Sequence, residues 1–241
     1  MSDLFWLHIK KSAGTSARDI LSPFYTEVDR VNLPPSFLQT SSGCWNDILN
    51  NYRTPLGAYQ FHRSEFAKRY LFPETWDNLF TLAFSRHPVD RALSMFTYLM
   101  YGRSPFHSLV KWTRLGVPYE KFLRGEKYKL SLFLDMIEVQ EGMRQKSAYQ
   151  PYGLHFSTHT NPMSNDVLSP AGEVNIKNIF RLENFADGIK YCYECLGAEP
   201  PEITAIPHKN KTLSTISPDL SQIRKIEKLF QSDFEIYEKA W

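Results

Sequence analysis

The sequence predicts an α/β fold in which a doubly wound parallel sheet is flanked by helices. Apolar stretches of strand length alternate along the chain with segments of helical apolar period, and two of these stretches run directly into a turn that opens a helix. This alternation is typical of parallel sheets, because the crossover between parallel strands is usually a helix. No internal repeat or low-complexity linker divides the sequence, so we expect one domain over residues 1–241.

The first strand covers residues 4–9 and leads into a polar turn formed by Lys10, Lys11, Ser12, Ala13, Gly14, Thr15 and Ser16. Gly14 lets the backbone come close to a ligand, and the first N–H groups of the helix that follows have no acceptor within it. Lys11 adds a charge, and the hydroxyl groups add donors. The turn therefore predicts a phosphate or sulfate site, although solvated turns capped by a hydroxyl residue have the same composition.

The middle of the chain contains a loop and two further strand candidates. Residues 32–52 are rich in Pro, Ser, Thr and Asn, which predicts a loop. Residues 56–61 form a short strand candidate that ends next to His62. Residues 78–84 form a longer one, followed by a helix that starts at Pro88, a residue suited to the first helical position. This helix has an apolar face formed by Val89, Leu93, Phe96 and Met100, and it ends near Gly102.

The last third of the chain continues the alternation. Residues 178–182 form a third strand candidate, and residues 153–171 have no apolar period, which predicts a long surface loop near a site. Helices are predicted over residues 119–123 and 130–141, from Asn184 to Gly197, and after a start formed by Ser217, Pro218 and Asp219.

The turn after the first strand does not have the spacing of a nucleoside triphosphatase loop, because Lys11 precedes Gly14 instead of following the second glycine. It resembles the 5′-phosphosulfate loop of sulfotransferases that use 3′-phosphoadenosine 5′-phosphosulfate (PAPS). The similar form is His-Ile-Pro-Lys-Thr-Gly-Gly-Thr-Ser, found in carbohydrate sulfotransferases related to heparan sulfate 2-O-sulfotransferase. Lys10 stands at the Pro of that form, and Ala13 stands at its first Gly.

The segment after the second long strand resembles the 3′-phosphate segment of the same family, Arg-Asn/Asp-Pro-x-x-Arg-x-x-Ser. The matching residues are Arg86, Pro88, Arg91 and Ser94. The resemblance implies that Arg86 and Ser94 hold the 3′-phosphate. The alternative is that Asp90 and Arg91 are surface charges and that Arg86 only satisfies a helix end.

The resemblance also implies the P-loop-like sulfotransferase fold, PAPS as sulfuryl donor, 3′,5′-diphosphoadenosine (PAP) as product, and no metal. Lys11 would act in catalysis by neutralising the charge on the departing oxygen. A late basic segment resembles the loop that closes over PAPS in many sulfotransferases, although a solvated charge run would look the same. The implied donor-binding residues are Lys11, Ser12, Ala13, Gly14, Thr15, Ser16, Arg86, Ser94, Lys209, Lys211 and Thr212.

His62 is the predicted general base, because it follows a strand candidate and lies between the two motifs, where the resembled enzymes have a catalytic His. The rival histidines are His8, His87, His107, His155 and His159. The acceptor would be a hydroxyl of a glycan or glycolipid-like molecule. Two other readings stay open, namely a P-loop-type nucleotide kinase and a PAP- or glycan-binding module that transfers nothing.

Composition narrows the functional classes. The net charge of +2, from 28 Lys and Arg against 26 Asp and Glu, gives no general attraction to nucleic acid or membrane. Three cysteines do not suggest a disulfide framework and fit a reducing compartment. No stretch is apolar enough to span a membrane, and the chain starts almost at the first strand. We therefore expect a soluble bacterial cytoplasmic enzyme, with a trimmed catalytic fragment from the Golgi lumen as the alternative.

Two other features favour packing roles. Cys192 and Cys195 form a Cys-x-x-Cys pair on one helical face with Ile189 and Leu196, and no second ligand pair accompanies them, which predicts core positions. A group of aromatic residues could stack on a sugar but at this density is more typical of packing. This group comprises Tyr98, Tyr101, Phe106 and Trp112.

Overall fold

The computed structural model describes residues 3–25, 49–50, 54, 56–102, 104–144, 150–203 and 216–241. Its strands are β1 (Leu4–Leu7), β2 (Phe80–Ser85) and β3 (Asn178–Arg181). Its α-helices are α1 (Gly14–Leu21), α2 (Arg63–Phe66), α3 (Pro88–Met100), α4 (Pro105–Arg114), α5 (Tyr119–Phe122), α6 (Glu126–Arg144), α7 (Gly153–Thr160), α8 (Met163–Val167), α9 (Phe185–Cys195), α10 (Leu220–Leu229) and α11 (Gln231–Lys239). A π-helical turn, Ala67–Leu71, continues α2, and 3₁₀ turns cover Ser22–Phe24, Gly57–Tyr59, Trp76–Asn78 and Leu182–Asn184.

The three strands form one parallel sheet with the order β1-β2-β3, which confirms the predicted α/β class with a parallel sheet and helices. Leu4 pairs with Phe80, and Ser85 pairs with Arg181. Because the strands are parallel, their carboxyl ends meet at one edge of the sheet. The turn after β1 and the segment after β2 both leave the sheet at that edge.

The described residues group into two compact units. The first consists of those within Met1–Arg86, Asn161–Lys209 and Ile236–Trp241, and it contains the sheet together with α1, α2, α8 and α9. The second consists of those within His87–Thr160 and Asn210–Glu235, and it contains the helices from α3 to α7 together with α10.

The core of the first unit is built on the sheet. The four side chains of β1 are at most 1% exposed, as expected for a parallel strand covered on both faces. Helix α9 packs closely on the sheet through Gly188, where a Cβ atom would lie 2.8 Å from the rings of both Phe84 and Phe180. Phe185, at the start of α9, lies against Phe84 with 4.7 Å between ring centroids.

The core of the second unit is helical and aromatic. Its central side chains are Phe96, Phe133, Phe156 and Phe230, each at most 2% exposed. The predicted helix start at Asp219 is confirmed: its side chain accepts a hydrogen bond from Gln222 N, and the Gln222 side chain accepts one from Asp219 N, which together form a capping box. Pro88 occupies the first turn of α3, as predicted.

The strand predicted over residues 56–61 is wrong. Gly57 has a φ of +58°, and a 3₁₀ turn covers Gly57–Tyr59. Tyr59 N donates to Leu56 O at 3.1 Å, so the hydrogen bonds of this segment are local and do not join the sheet. Leu56, at the start of this turn, is only 3% exposed, whereas Tyr59 and Phe61 are half-buried.

The surface loop predicted over residues 153–171 is also wrong for most of its length, from residue 153 to residue 167. Helices α7 and α8 occupy Gly153–Thr160 and Met163–Val167, and several of their polar side chains are buried. Ser157 Oγ donates to Gly153 O at 3.2 Å, and Thr160 Oγ1 donates to Phe156 O at 3.0 Å. Polar groups satisfied inside their own helix can be buried without leaving an apolar period in the sequence.

The predicted burial of the cysteine pair is half correct. Cys192 is buried in α9, and Cys195 is exposed. Burial raises the pKa of the Cys192 thiol to about 12, so this thiol is kept in its unreactive neutral form.

In the aromatic group, Trp112 is core and donates from Nε1 to Met100 O at 2.9 Å, whereas Phe106 is 70% exposed.

Candidate functional site

The turn between β1 and α1 has the backbone geometry of an anion site. Lys11 and Ala13 are left-handed, with φ of 69° and 54°, a conformation that turns successive N–H groups toward one point. Helix α1 then begins at Gly14, so its first N–H groups are added to the same region. Ser12 Oγ is buried and has no hydrogen-bond partner within the described residues. These features suit an anionic group with several oxygen acceptors.

Gly14 is required by its neighbour His8. A Cβ atom at Gly14 would lie 1.7 Å from His8 Nε2, so any side chain would displace the imidazole. The His8 ring stacks on Trp6, with 5.4 Å between centroids and 13° between planes. His8 therefore supports the turn, and the close approach of backbone and ring explains the choice of glycine.

Arg86 follows β2 at the same sheet edge and reaches the turn. Its Nη1 donates to the main-chain oxygen of Lys11 at 3.4 Å. Two basic residues that are far apart in the sequence thus lie at the same edge, joined through the Arg86 side chain and the Lys11 main chain, and both residues are half-buried. A phosphate-sized anion bound at this edge would meet the guanidinium group of Arg86, which can donate two parallel hydrogen bonds, and the ammonium charge of Lys11.

Ser94 and its neighbours on α3 belong to the second unit. Ser94 is 4% exposed. Arg91 is 1% exposed, and its Nη1 lies 3.2 Å from Asp233 Oδ2, so the interpretation of Arg91 as a surface charge is wrong. Asp90 is exposed, in agreement with that interpretation. Arg91 is therefore a structural residue of the second unit.

His62 lies immediately before α2 in the first unit, in a turn closed by a hydrogen bond from His62 N to Tyr59 O at 2.9 Å. Its ring is half-buried, and Nδ1 has no hydrogen-bond partner among the residues described. The predicted position at the end of a strand is incorrect, but the residue is held in an ordered turn. An imidazole of this kind can accept a proton from a bound hydroxyl.

A buried polar cluster lies beside His62. Arg63 pairs with Asp166 through two hydrogen bonds, Nε to Oδ1 at 2.8 Å and Nη2 to Oδ2 at 2.6 Å. Lys10 Nζ lies 3.1 Å from Asn50 Oδ1, which also accepts from Arg63 Nη1 at 3.4 Å. We use the name buried polar cluster for these four residues together with Asn161, which hydrogen-bonds to Asp166.

Burial and charge shift the titration of this cluster. Desolvation, followed by the charge of Arg63, lowers the pKa of Lys10 to about 7. Desolvation acts to raise the pKa of Asp166, but the charge and hydrogen bonds of Arg63 outweigh it and hold that pKa below its ordinary value. A lysine that is only partly charged at neutral pH therefore directly precedes Lys11.

Asn50, Asn161 and Asp166 were not predicted from the sequence as site residues. Asp166 and its partner Arg63 are 103 positions apart, so their pairing depends on the fold. One local pattern was available, since Pro162 precedes Met163 and Val167 at helical spacing, which is typical of a short helix start. That pattern places Asp166 on a helix but does not identify its partner.

The remaining predicted residues fall into two groups. Lys209, Lys211 and Thr212 lie outside the described residues. The rival bases His155 and His159 lie on α7 in the second unit, where His159 Nδ1 is 2.8 Å from His155 O and its ring stacks on Tyr98 at 4.7 Å. In the described ranges, no group of three or more His, Cys, Asp or Glu side chains is arranged to hold a metal ion.

None of the described helices combines the length and the apolar character needed to cross a membrane.

Comparison with curated proteins gave no match, and comparison with solved structures gave none either. A family model described as the sulfotransferase family matches residues 2–240, which is nearly the whole chain. Together with the parallel sheet, this match shows that the chain belongs to the sulfotransferase family.

Proposed function

We propose that this sulfotransferase moves the sulfuryl group of PAPS to a hydroxyl group of a carbohydrate acceptor, such as a glycan or glycolipid. The observation that carries the proposal is the contact between Arg86 and the Lys11 main chain at the edge of the sheet. It brings together the two segments whose sequences resemble the 5′-phosphosulfate and 3′-phosphate segments of PAPS-dependent enzymes. The family match, which extends over both units, supports one catalytic domain.

The turn residues suit the 5′ end of the donor. The N–H groups of Gly14 and Thr15 and the hydroxyl of Ser12 would bind phosphate oxygens, with Ala13 shaping the turn and Ser16 adding a hydroxyl. Lys11 would place its charge at the oxygen between phosphorus and sulfur. Arg86 would bind the 3′-phosphate, with Ser94 as a second donor. Lys209, Lys211 and Thr212 are proposed to close over the donor.

The reaction needs few protein groups. The acceptor hydroxyl loses its proton to His62 as its oxygen forms a bond to sulfur, and the bond from sulfur to the 5′-phosphate oxygen breaks. The electron pair of that bond stays on the phosphate of PAP, where the Lys11 ammonium group stabilises it. The proton on the imidazole then leaves to solvent, so charge and atoms balance without a metal.

Transfer of radiolabelled sulfate from PAPS to a panel of glycans and small alcohols tests the proposal. We expect label in at least one carbohydrate and equal molar release of PAP. PAP binding without any transfer would instead indicate a non-catalytic binding module. Magnesium-dependent phosphate transfer from ATP, with no sulfate transfer, would indicate a nucleotide kinase. Either result would overturn the proposal.

A further inference from the structure

The two peptide groups that flank His62 are both held by side chains from one short segment. Asn161 Nδ2 donates to Phe61 O at 3.1 Å, on the amino-terminal side of His62. Asp166 Oδ1 accepts from Arg63 N at 3.5 Å, on the carboxyl-terminal side. The orientation of a peptide group sets the backbone dihedrals next to it, so this segment fixes the direction in which the His62 side chain leaves the backbone.

The carboxyl-terminal contact is reinforced by the ion pair. Asp166 and Arg63 have side chains that are 1% and 3% exposed, and they meet through two parallel hydrogen bonds. A bidentate pair of this kind has one geometry, and separating it would leave a buried charge uncompensated. The residue that follows His62 is therefore fixed in both its main chain and its side chain.

The same cluster extends to the anion-binding turn. Asn50 Oδ1 accepts from Arg63 Nη1 at 3.4 Å and from Lys10 Nζ at 3.1 Å. Lys10 is 7% exposed and immediately precedes Lys11. A continuous set of hydrogen bonds thus connects the residue before the donor-binding lysine with the residue after the proposed base.

We infer that Asn161 and Asp166 are positioning residues that hold His62 in the orientation needed to accept the acceptor proton, through Phe61 and Arg63. The inference rests on the proposed function, because it assigns His62 the role of base. A displacement of about 1 Å in a catalytic group can cost on the order of 100-fold in rate, so a residue that touches no substrate can still have a large effect on turnover.

The test uses Asn161→Ala and Asp166→Asn in the full chain. We expect kcat to fall about tenfold to hundredfold in each, with the dissociation constant for PAP within about twofold of the native value. Asn178→Ala is the matched control, because Asn178 Nδ2 also donates to a main-chain oxygen of the first unit, Thr81 O at 3.0 Å, away from His62. The control should keep native turnover.

A double variant with His62→Asn distinguishes a role in positioning His62 from a general role in stabilising the fold. Because Asn161 is inferred to act only through His62, Asn161→Ala should cause little further loss of kcat in a His62→Asn background. The inference would be overturned if the kcat losses of Asn161→Ala and His62→Asn multiplied in the double variant. It would also be overturned if the single variants folded and turned over at the native rate. If Asp166→Asn fails to fold, the double variant Arg63→Met/Asp166→Leu removes both charges and takes its place.

A second readout does not depend on activity. The imidazole proton signal of His62 in a nuclear magnetic resonance spectrum can be assigned by its loss in His62→Asn. We expect Asn161→Ala to move this signal and Asn178→Ala to leave it unchanged. If the native protein transferred no sulfate, the proposed function would fail, whereas an unmoved signal in Asn161→Ala would overturn the positioning role in either case.

Discussion

Arg86 Nη1 donates a hydrogen bond to the main-chain oxygen of Lys11 at 3.4 Å, across 75 positions of sequence. The contact exists because β1 and β2 are adjacent and parallel, so that their carboxyl ends share one edge of the sheet. Two basic residues, Arg86 and Lys11, therefore lie at this edge. One anionic ligand with two phosphate groups is the simplest species that uses both.

Lys11→Ala should lower turnover on the order of 100- to 1,000-fold and weaken PAP binding only modestly, because the charge acts mainly on an oxygen that becomes negative in the transition state. Turnover rates paired with PAP calorimetry measure the two effects. Lys190→Ala is the control, since this lysine has a side chain that is 65% exposed. Native turnover in Lys11→Ala would show that the turn does not bind the reacting group.

Arg86→Ala should lose about 1.5–3 kcal/mol of binding free energy for nucleotides with a 3′-phosphate, the usual size of a charged hydrogen bond. Ser94→Ala should lose about 0.5–1.5 kcal/mol, as for a neutral donor. Titration with PAPS and with adenosine 5′-phosphosulfate measures the discrimination. Equal affinity of the native protein for both nucleotides would contradict the assignment of both residues.

His62→Asn should lower the transfer rate about 100- to 10,000-fold and leave PAPS affinity near the native value, because a base acts on the acceptor and not on the donor. His107→Asn, at an exposed position, should behave as the native protein does. Native turnover in His62→Asn would direct attention to His155 and His159.

Lys10→Met should change how stability depends on pH. The pKa of Lys10 is about 7 in the folded chain and near 10.5 when unfolded, so between these values the unfolded state binds more protons. The free energy of unfolding should therefore rise with pH, by at most about 1.4 kcal/mol per pH unit from this group. Below pH 7 the folded state carries the full cost of a buried charge.

Urea unfolding at several values between about pH 7.5 and pH 8.5 measures that slope, since most other groups of the chain do not titrate there. The difference between the native protein and Lys10→Met isolates the contribution of Lys10. The groups that act on the pKa of Lys10 are Arg63, Asp166 and Arg18, and all three are retained in the variant. Parallel slopes in the two proteins would show that Lys10 is charged when folded.

The elements that were predicted correctly are those with local physical causes. β1, β2 and β3 are short apolar runs followed by turn residues, and α3 begins at a proline, so each is specified within a few positions of sequence. The anion site in the turn before α1 stays a prediction, which rests on Gly14 and its contiguous hydroxyl neighbours. The fold class follows from the order of these elements alone.

The errors have a different origin. Helix α7 buries Ser157 and Thr160 by returning their hydroxyl groups to carbonyls of the same helix, which removes the apolar period that sequence analysis depends on. Asp166 is paired with a residue 103 positions away, and Asn161 with one 100 positions away. Nothing in the local sequence distinguishes either of them from a polar residue in a loop. The buried polar cluster could therefore be identified only from the three-dimensional structure.

The parallel order β1-β2-β3 also constrains how the protein is made. Residues of β1 pair with residues 80–83, and β2 pairs in turn with residues 178–181, so each pairing between the described strands joins residues that are far apart in the sequence. At about 5–20 residues per second on the ribosome, β1 waits for several seconds before its partner strand is synthesised, and β2 waits for several more. During that interval the apolar strands lack their partner strands, so their apolar side chains and backbone hydrogen-bonding groups stay exposed. We therefore expect nascent chains that end before Asn178 to bind chaperones and to lack nucleotide affinity.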